Sequence, residues 1–231
     1  MKNSPYLNMK QILLILAVVG CGESSPVNES TLTDDDRLTA ELPAAEQGDV
    51  VAQNNLGLMY GSGDGVPKDL KEAAKWFRKA AEQGNALAQI NLGLMYLRGK
   101  GADKDDKEAV KWFRKAAEQG IADAQLYLGL MYGSGDGVPE DLKEATKWFR
   151  KAAEQGIADA QLYLGVMYGE GSGVLQDDVN AYAWWDISAA NGQEKARRFK
   201  DLAAKELTAE EIAKAEALVK EMVEKNPKLL K

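Results

Sequence analysis

Apolar residues along most of this chain fall at helical spacing. Ala52, Leu56, Met59 and Tyr60 share one face of a first helix. Ala73, Trp76, Phe77, Ala80 and Ala81 share one face of a second, while Lys71, Lys75, Arg78 and Glu82 lie elsewhere on its wheel. Between them stands Gly61-Ser62-Gly63-Asp64-Gly65-Val66-Pro67. Its glycines permit positive φ, and its proline stops helix continuation. Asp69, three residues before Glu72, predicts a capping box at the start of the second helix, repeated at Asp105/Glu108 and Asp141/Glu144. No stretch alternates as a strand would, so the pattern predicts a helical hairpin.

The hairpin recurs. The twelve residues Leu56 to Pro67 return letter for letter at Leu128 to Pro139, and variants stand at Leu92–Tyr96 and Leu164–Tyr168. The period is 36 residues, giving units 49–84, 85–120, 121–156 and 157–192. A fixed period in this range predicts a stacked array, in which residues common to every unit are scaffold. Gly57 costs helix propensity yet recurs as Gly93, Gly129 and Gly165, which predicts a close helix–helix approach there. The Gly-rich turn is turn chemistry: it follows a helix and lacks the lysine and Ser/Thr of a phosphate-binding loop.

The flanks extend the array. Ala44 to Gly48 aligns with Ala80 to Gly84, so residues 37–48 read as a half-repeat helix that Pro43 would kink or interrupt. Residues 193–231 read as C-terminal capping helices: one from Gln193 to Leu207, another opened by Thr208 and Glu211 with Ile212, Ala215, Val219 and Met222 on one face. A partner-binding amphipathic helix or a coiled-coil segment are the alternatives for this tail.

At the other end, Lys10 precedes the apolar run Ile12 to Val19, too short to span a bilayer and closed by small residues, as a secretory signal is. Residues 21–36 are polar and acidic and read as a flexible tether. Its Asp34-Asp35-Asp36 is more simply a solvated run or a helix cap than a cation site.

Charge and composition exclude several roles. The formal charge is −7, and without Lys2 and Lys10 of the first 20 residues 27 basic residues face 36 acidic ones, or −9. That argues against phosphate-backbone binding and against basic docking on anionic lipid. The chain has no histidine and one cysteine, so it lacks the common neutral-pH base, the commonest zinc ligand and any internal disulfide. No cofactor or metal site is expected.

The unit resembles a known motif. Ala52, Leu56, Gly57, Tyr60, Gly63, Gly65, Val66, Asp69, Ala73, Trp76, Lys79, Ala80, Ala81 and Gly84 stand where the Sel-one-like repeat, a relative of the tetratricopeptide repeat, has its signature residues. The resemblance covers residues 49–192 in four copies. The fourth departs most, with Ile187 for the lysine, Ser188 for the first alanine and Trp184-Trp185 for Trp-Phe; terminal repeats are commonly atypical. The resemblance implies an all-α fold, an α-solenoid of stacked antiparallel helix pairs, and a non-catalytic scaffold that binds another protein or peptide on a concave face lined by the first helices. Likewise Val18-Val19-Gly20-Cys21 looks like the lipobox of bacterial lipoproteins. That implies lipidation at Cys21, membrane attachment through this anchor only, and a place in the cell envelope, at the outer membrane facing the periplasm.

On the first helix of unit one, the side opposite the packing face carries positions 51, 54, 58 and 61. Their counterparts are Leu87, Ile90, Leu94 and Leu97, followed by Arg98; then Asp123, Leu126 and Leu130; then Asp159, Leu162 and Val166. A helix apolar on two sides is sandwiched or offers a docking surface, and these residues are the candidate partner-binding face. Three roles fit the sequence: an envelope interaction scaffold, a periplasmic immunity protein that masks a toxic effector, and a cell-wall enzyme or glycan-binding protein. The last finds little support, since the chain has no Ser-x-x-Lys, no histidine triad and none of the paired cysteines of relatives linked to β-lactam hydrolysis.

Overall fold

The computed structural model describes residues 34–230. Cys21, the apolar run of residues 12–19 and most of the expected tether lie outside this range. All regular structure within it is helical: α1 (Asp34–Glu46), α2 (Val50–Ser62), α3 (Leu70–Glu82), α4 (Ala86–Arg98), α5 (Asp106–Glu118), α6 (Ala122–Ser134), α7 (Leu142–Ala153), α8 (Ala158–Glu170), α9 (Asp178–Ala190), α10 (Glu194–Glu206) and α11 (Ala209–Lys225), then a 3₁₀ turn at Pro227–Leu229. Helices α2/α3, α4/α5, α6/α7 and α8/α9 are the four hairpins of an α-solenoid. The described helices divide into two compact units, residues 34–121 and residues 122–230.

Each hairpin is closed by a glycine against an aromatic ring. An alanine Cβ at Gly57 would lie 2.5 Å from Phe77, at Gly93 2.8 Å from Phe113, at Gly129 2.7 Å from Phe149 and at Gly165 2.5 Å from Trp185. The lost helix propensity at these positions, about 1 kcal/mol each, is therefore offset by ring burial in the hairpin seam. Turn glycines serve the next contact: Gly101, at φ +80°, comes so close to the α3 carbonyl of Leu70 that a Cβ would lie 2.2 Å from its oxygen.

The second helices begin at aspartates. Asp69 Oδ1 accepts from the backbone N–H groups of Lys71 and Glu72, and Asp105 and Asp141 repeat the geometry. The expected return arm of the capping box gives way to a different pair. Glu72, Glu108 and Glu144 accept from Lys75, Lys111 and Lys147 one turn on, where the lysine offers a charged donor. The box that does close is Thr208–Glu211, at the start of α11.

In the unit of residues 34–121, α1 seals the first hairpin. Ala45 is buried in a cluster with Ala52, Leu56, Met59, Val66 and Trp76, and Leu38 and Leu42 pack against it. Two expectations are corrected here. Residues 34–36, read as tether, are already helical, consistent with acidic side chains favouring a helix N-terminus. Pro43 does not interrupt α1; its ring is exposed and the helix runs through it to Glu46.

In the unit of residues 122–230, α10 and α11 both pack on α9. Ala196, Ala203 and Ala215 are buried in one cluster with Phe149, Leu162, Tyr163, Val166 and Trp185. Phe149 and Tyr163 stack at 4.9 Å, and Lys200 Nζ donates to Asp186 at 2.9 Å, tying α10 to α9.

Candidate docking face on the first helices

The structure divides the candidate residues into open and closed sets. In the unit of residues 34–121, Leu87 is 59% exposed, and its counterpart Val51 and the neighbouring Leu58 are 63% and 49% exposed. Leu94 and Leu97 are half-buried and Arg98 is exposed. These residues sit on α2 and α4, which touch. The Gly57–Phe77 seam holds α2 against α3, and the Gly93–Phe113 seam holds α4 against α5. Val51 and Leu58, two turns apart on α2, and Leu87 on α4 leave apolar side chains exposed on adjoining first helices, with Leu94 and Leu97 half-buried beside them. Ile90, however, is buried, and so is Asn54 at the same place in α2. Asn54 Oδ1 is buried there with no hydrogen-bond partner. Its neighbour Asn55 donates from Nδ2 to Glu41 Oε1 at 2.8 Å, fastening α1 to α2.

In the unit of residues 122–230, Asp123 is exposed, whereas Leu126 and Leu130 are half-buried against the cluster below α10 and α11. Leu162 and Val166 are fully buried and cannot receive a partner. This corrects the expectation, and the reason is the chain's own C-terminal helices, which supply the apolar cover in place of a further repeat. Asp159 is likewise engaged, accepting a hydrogen bond from Gln193 Nε2. Burial pushes the Tyr163 phenol far above its ordinary range, and Asp159 adds to this, so it stays neutral. Burial also raises Glu170, while a hydrogen bond from Ser172 Oγ pulls the other way.

Polar contacts that the sequence reading passed over set the register of the repeats. Gln83 Nε2 donates to Gln53 Oε1 at 2.8 Å and to the Gly48 carbonyl at 3.1 Å, and Gln53 Nε2 donates to the Ala45 carbonyl at 3.0 Å. Gln119 and Gln89 repeat the arrangement 36 residues on, and Gln155 meets Gln125 in the same way. The acceptor glutamine stands at the same place in all four units and the donor in the first three, with Asn191 in the fourth, and only that recurrence marks them in the sequence. A second device joins repeats: Arg78 donates to the Tyr96 hydroxyl and Arg150 to Tyr168, at 2.7 Å in the latter pair. A third lies on the second helices, where Lys79, Lys115 and Lys151 sit 3.8, 4.2 and 4.1 Å from the ring centroids of Trp76, Trp112 and Trp148.

Among the described residues, no group of His, Cys, Asp and Glu is placed to hold a metal ion, and no helix is long and apolar enough to cross a membrane.

Comparison with known proteins agrees with this geometry. The Sel1 repeat matches at residues 50–85, 86–121, 122–157 and 158–193, one residue later than the units read from the sequence. The chain is similar to the structure of c5321, described as a protective antigen present in uropathogenic Escherichia coli strains displaying an SLR fold. That match has 37% identity and a TM-score of 0.76, covering 96% of this chain and 46% of the other. This chain therefore spans about half the length of that relative. It is also similar to a Sel1 repeat protein from Oxalobacter formigenes, at 41% identity and a TM-score of 0.67, over 71% of this chain and 67% of the other. The immunity protein Pa5087 from Pseudomonas aeruginosa matches at 20% identity and a TM-score of 0.44, over 81% of this chain and 67% of the other. A search of curated proteins gave no match. Four consecutive hairpins, their glycine–aromatic seams and the matched repeats lead to one conclusion: the chain belongs to the Sel1 repeat family, whose members are generally protein-interaction scaffolds.

Proposed function

We propose that this protein is a non-catalytic binding scaffold of the bacterial cell envelope, and that it receives a partner protein on the faces of α2 and α4. The observation that carries this reading is the exposure of Val51, Leu58 and Leu87 on adjoining first helices. Leu94, Leu97 and Arg98 complete the face, and the partner segment presents apolar side chains to it. The polar surroundings and negative net charge favour a protein over nucleic acid. Asn54 Oδ1, buried without a partner at the floor of this face, offers an acceptor to a donor on the incoming segment.

The envelope location rests on the lipobox-like Val18 to Cys21, with Cys21 as the lipidated residue. Metabolic palmitate labelling tests it: wild type labels and Cys21→Ser does not. For the binding face, in-cell crosslinking followed by mass spectrometry compares wild type with Leu87→Asp/Leu94→Asp. A partner recovered with wild type and lost with the variant, whose helical signal is unchanged, supports the reading. Equal recovery moves the site elsewhere. A toxic effector as the recovered partner would make the scaffold an immunity protein.

A further inference from the structure

The fourth repeat departs from its siblings at places that converge on one segment of the chain. Where Trp76, Trp112 and Trp148 each carry a lysine, Trp184 is followed by Ile187. Where Gln83 and Gln119 reach back to a glycine carbonyl, position 191 is the shorter asparagine. Both changes meet residues 226–229. Trp184 and Ile187 are buried in a cluster with Ala152, Ala153, Ala160, Leu164 and Leu229, and Val219, Met222 and Val223 of α11 pack against it. The Leu229 carbonyl accepts from Asn191 Nδ2 at 2.6 Å and from Gln161 Nε2 at 2.9 Å. Asn226 Nδ2 donates to the Glu154 carbonyl at 2.7 Å. The socket thus has an apolar floor, two amide donors for a backbone carbonyl, and a carbonyl that reads an asparagine.

The helix that delivers this segment is lightly held. Of the 17 residues of α11 only Ala215 is buried, whereas α9 buries eight of 13. An element with so little buried surface opens at low free energy, while the specific contacts gather at its far end.

We propose that residues 209–229 are an internal ligand, and that the outer side of the fourth repeat is a second docking site, separate from the α2/α4 face. Its occupant is a segment of the arm's own chemistry: a short helix with an apolar stripe, followed by an asparagine and, three residues on, a leucine whose carbonyl meets Asn191 and Gln161. The resident arm fills the site in cis, and a partner segment of this kind displaces it.

The probe is a fluorescent synthetic peptide of residues 209–230, titrated into the full chain. Full-length Leu229→Asp, its own clip disabled, binds the peptide, while wild type binds it at least about tenfold more weakly because the arm competes. Adding Ile187→Lys or Asn191→Gln to Leu229→Asp abolishes binding, and Leu87→Asp does not alter it. No binding by a folded Leu229→Asp chain, or binding indifferent to Ile187→Lys, overturns the proposal. Hydrogen exchange on wild type gives a reading that needs no variant. The amides of α11 must exchange faster than those of α9; joint exchange would make the arm part of the core and end the proposal.

Discussion

A Cβ at position 93 would stand 2.8 Å from Cε1 of Phe113, inside the contact distance that two carbons tolerate. The ring is fully buried and has no open space to move into. Gly93→Ala is therefore expected to destabilise the protein by about 1–3 kcal/mol in spite of the roughly 1 kcal/mol that alanine gains in a helix. Thermal melts read the net sign. Phe113→Leu in the Gly93→Ala background should recover part of the loss, a coupling that a double-mutant cycle measures.

The apolar face splits into two energetic classes. Leu87→Asp, on a side chain that is 59% exposed, should change stability by no more than about 0.5 kcal/mol. Leu162→Asp places a carboxylate in a fully buried cluster and should collapse the cooperative transition of residues 122–230. Ile90→Asp should behave as Leu162→Asp does, because Ile90 is also buried. Circular dichroism melts of the three variants check the ordering.

The glutamine contacts predict a cost out of proportion to their exposure. Gln119 is exposed, yet its amide satisfies Gln89, whose side chain is buried, and the Gly84 carbonyl. Gln119→Ala should cost about 1–3 kcal/mol by leaving a buried acceptor unmet. Gln119→Glu, which cannot donate to Gln89, should be no better. Denaturant titration of both variants against wild type measures this.

Glu170 gives a pH signature. Burial raises its pKa in the folded chain, so the folded state holds the proton more tightly than the unfolded one. Stability from this group is full below the ordinary carboxylate range and falls as pH rises through its raised folded value. Glu170→Gln should raise the melting temperature at neutral pH and leave it almost unchanged at low pH. Melting curves across that range decide it.

The hairpins, their boundaries and their turns were legible because each depends on residue types with few structural uses. A glycine inside a helix facing an aromatic 20 residues on, and an aspartate opening a helix, leave little else to choose. The docking face was legible only in part. Wheel position marked Leu87 and Leu162 alike, but nothing in helical periodicity states what lies above a face. That depends on α10 and α11, whose apolar stripe is thin and whose buried contacts are mainly alanines. The glutamine contacts were missed because a polar residue on a helix reads as solvated until its partner 30 residues away is known.

Ile187 and Asn191 also decide where an array of this kind can change length. The first three hairpins each place a lysine over the tryptophan and carry a full-length glutamine, and the fourth has neither. A unit placed after the fourth would strip Leu229 from its socket and leave Ile187 uncovered. Two side chains thus act as a punctuation mark: a repeat added past them unseats the molecule's end.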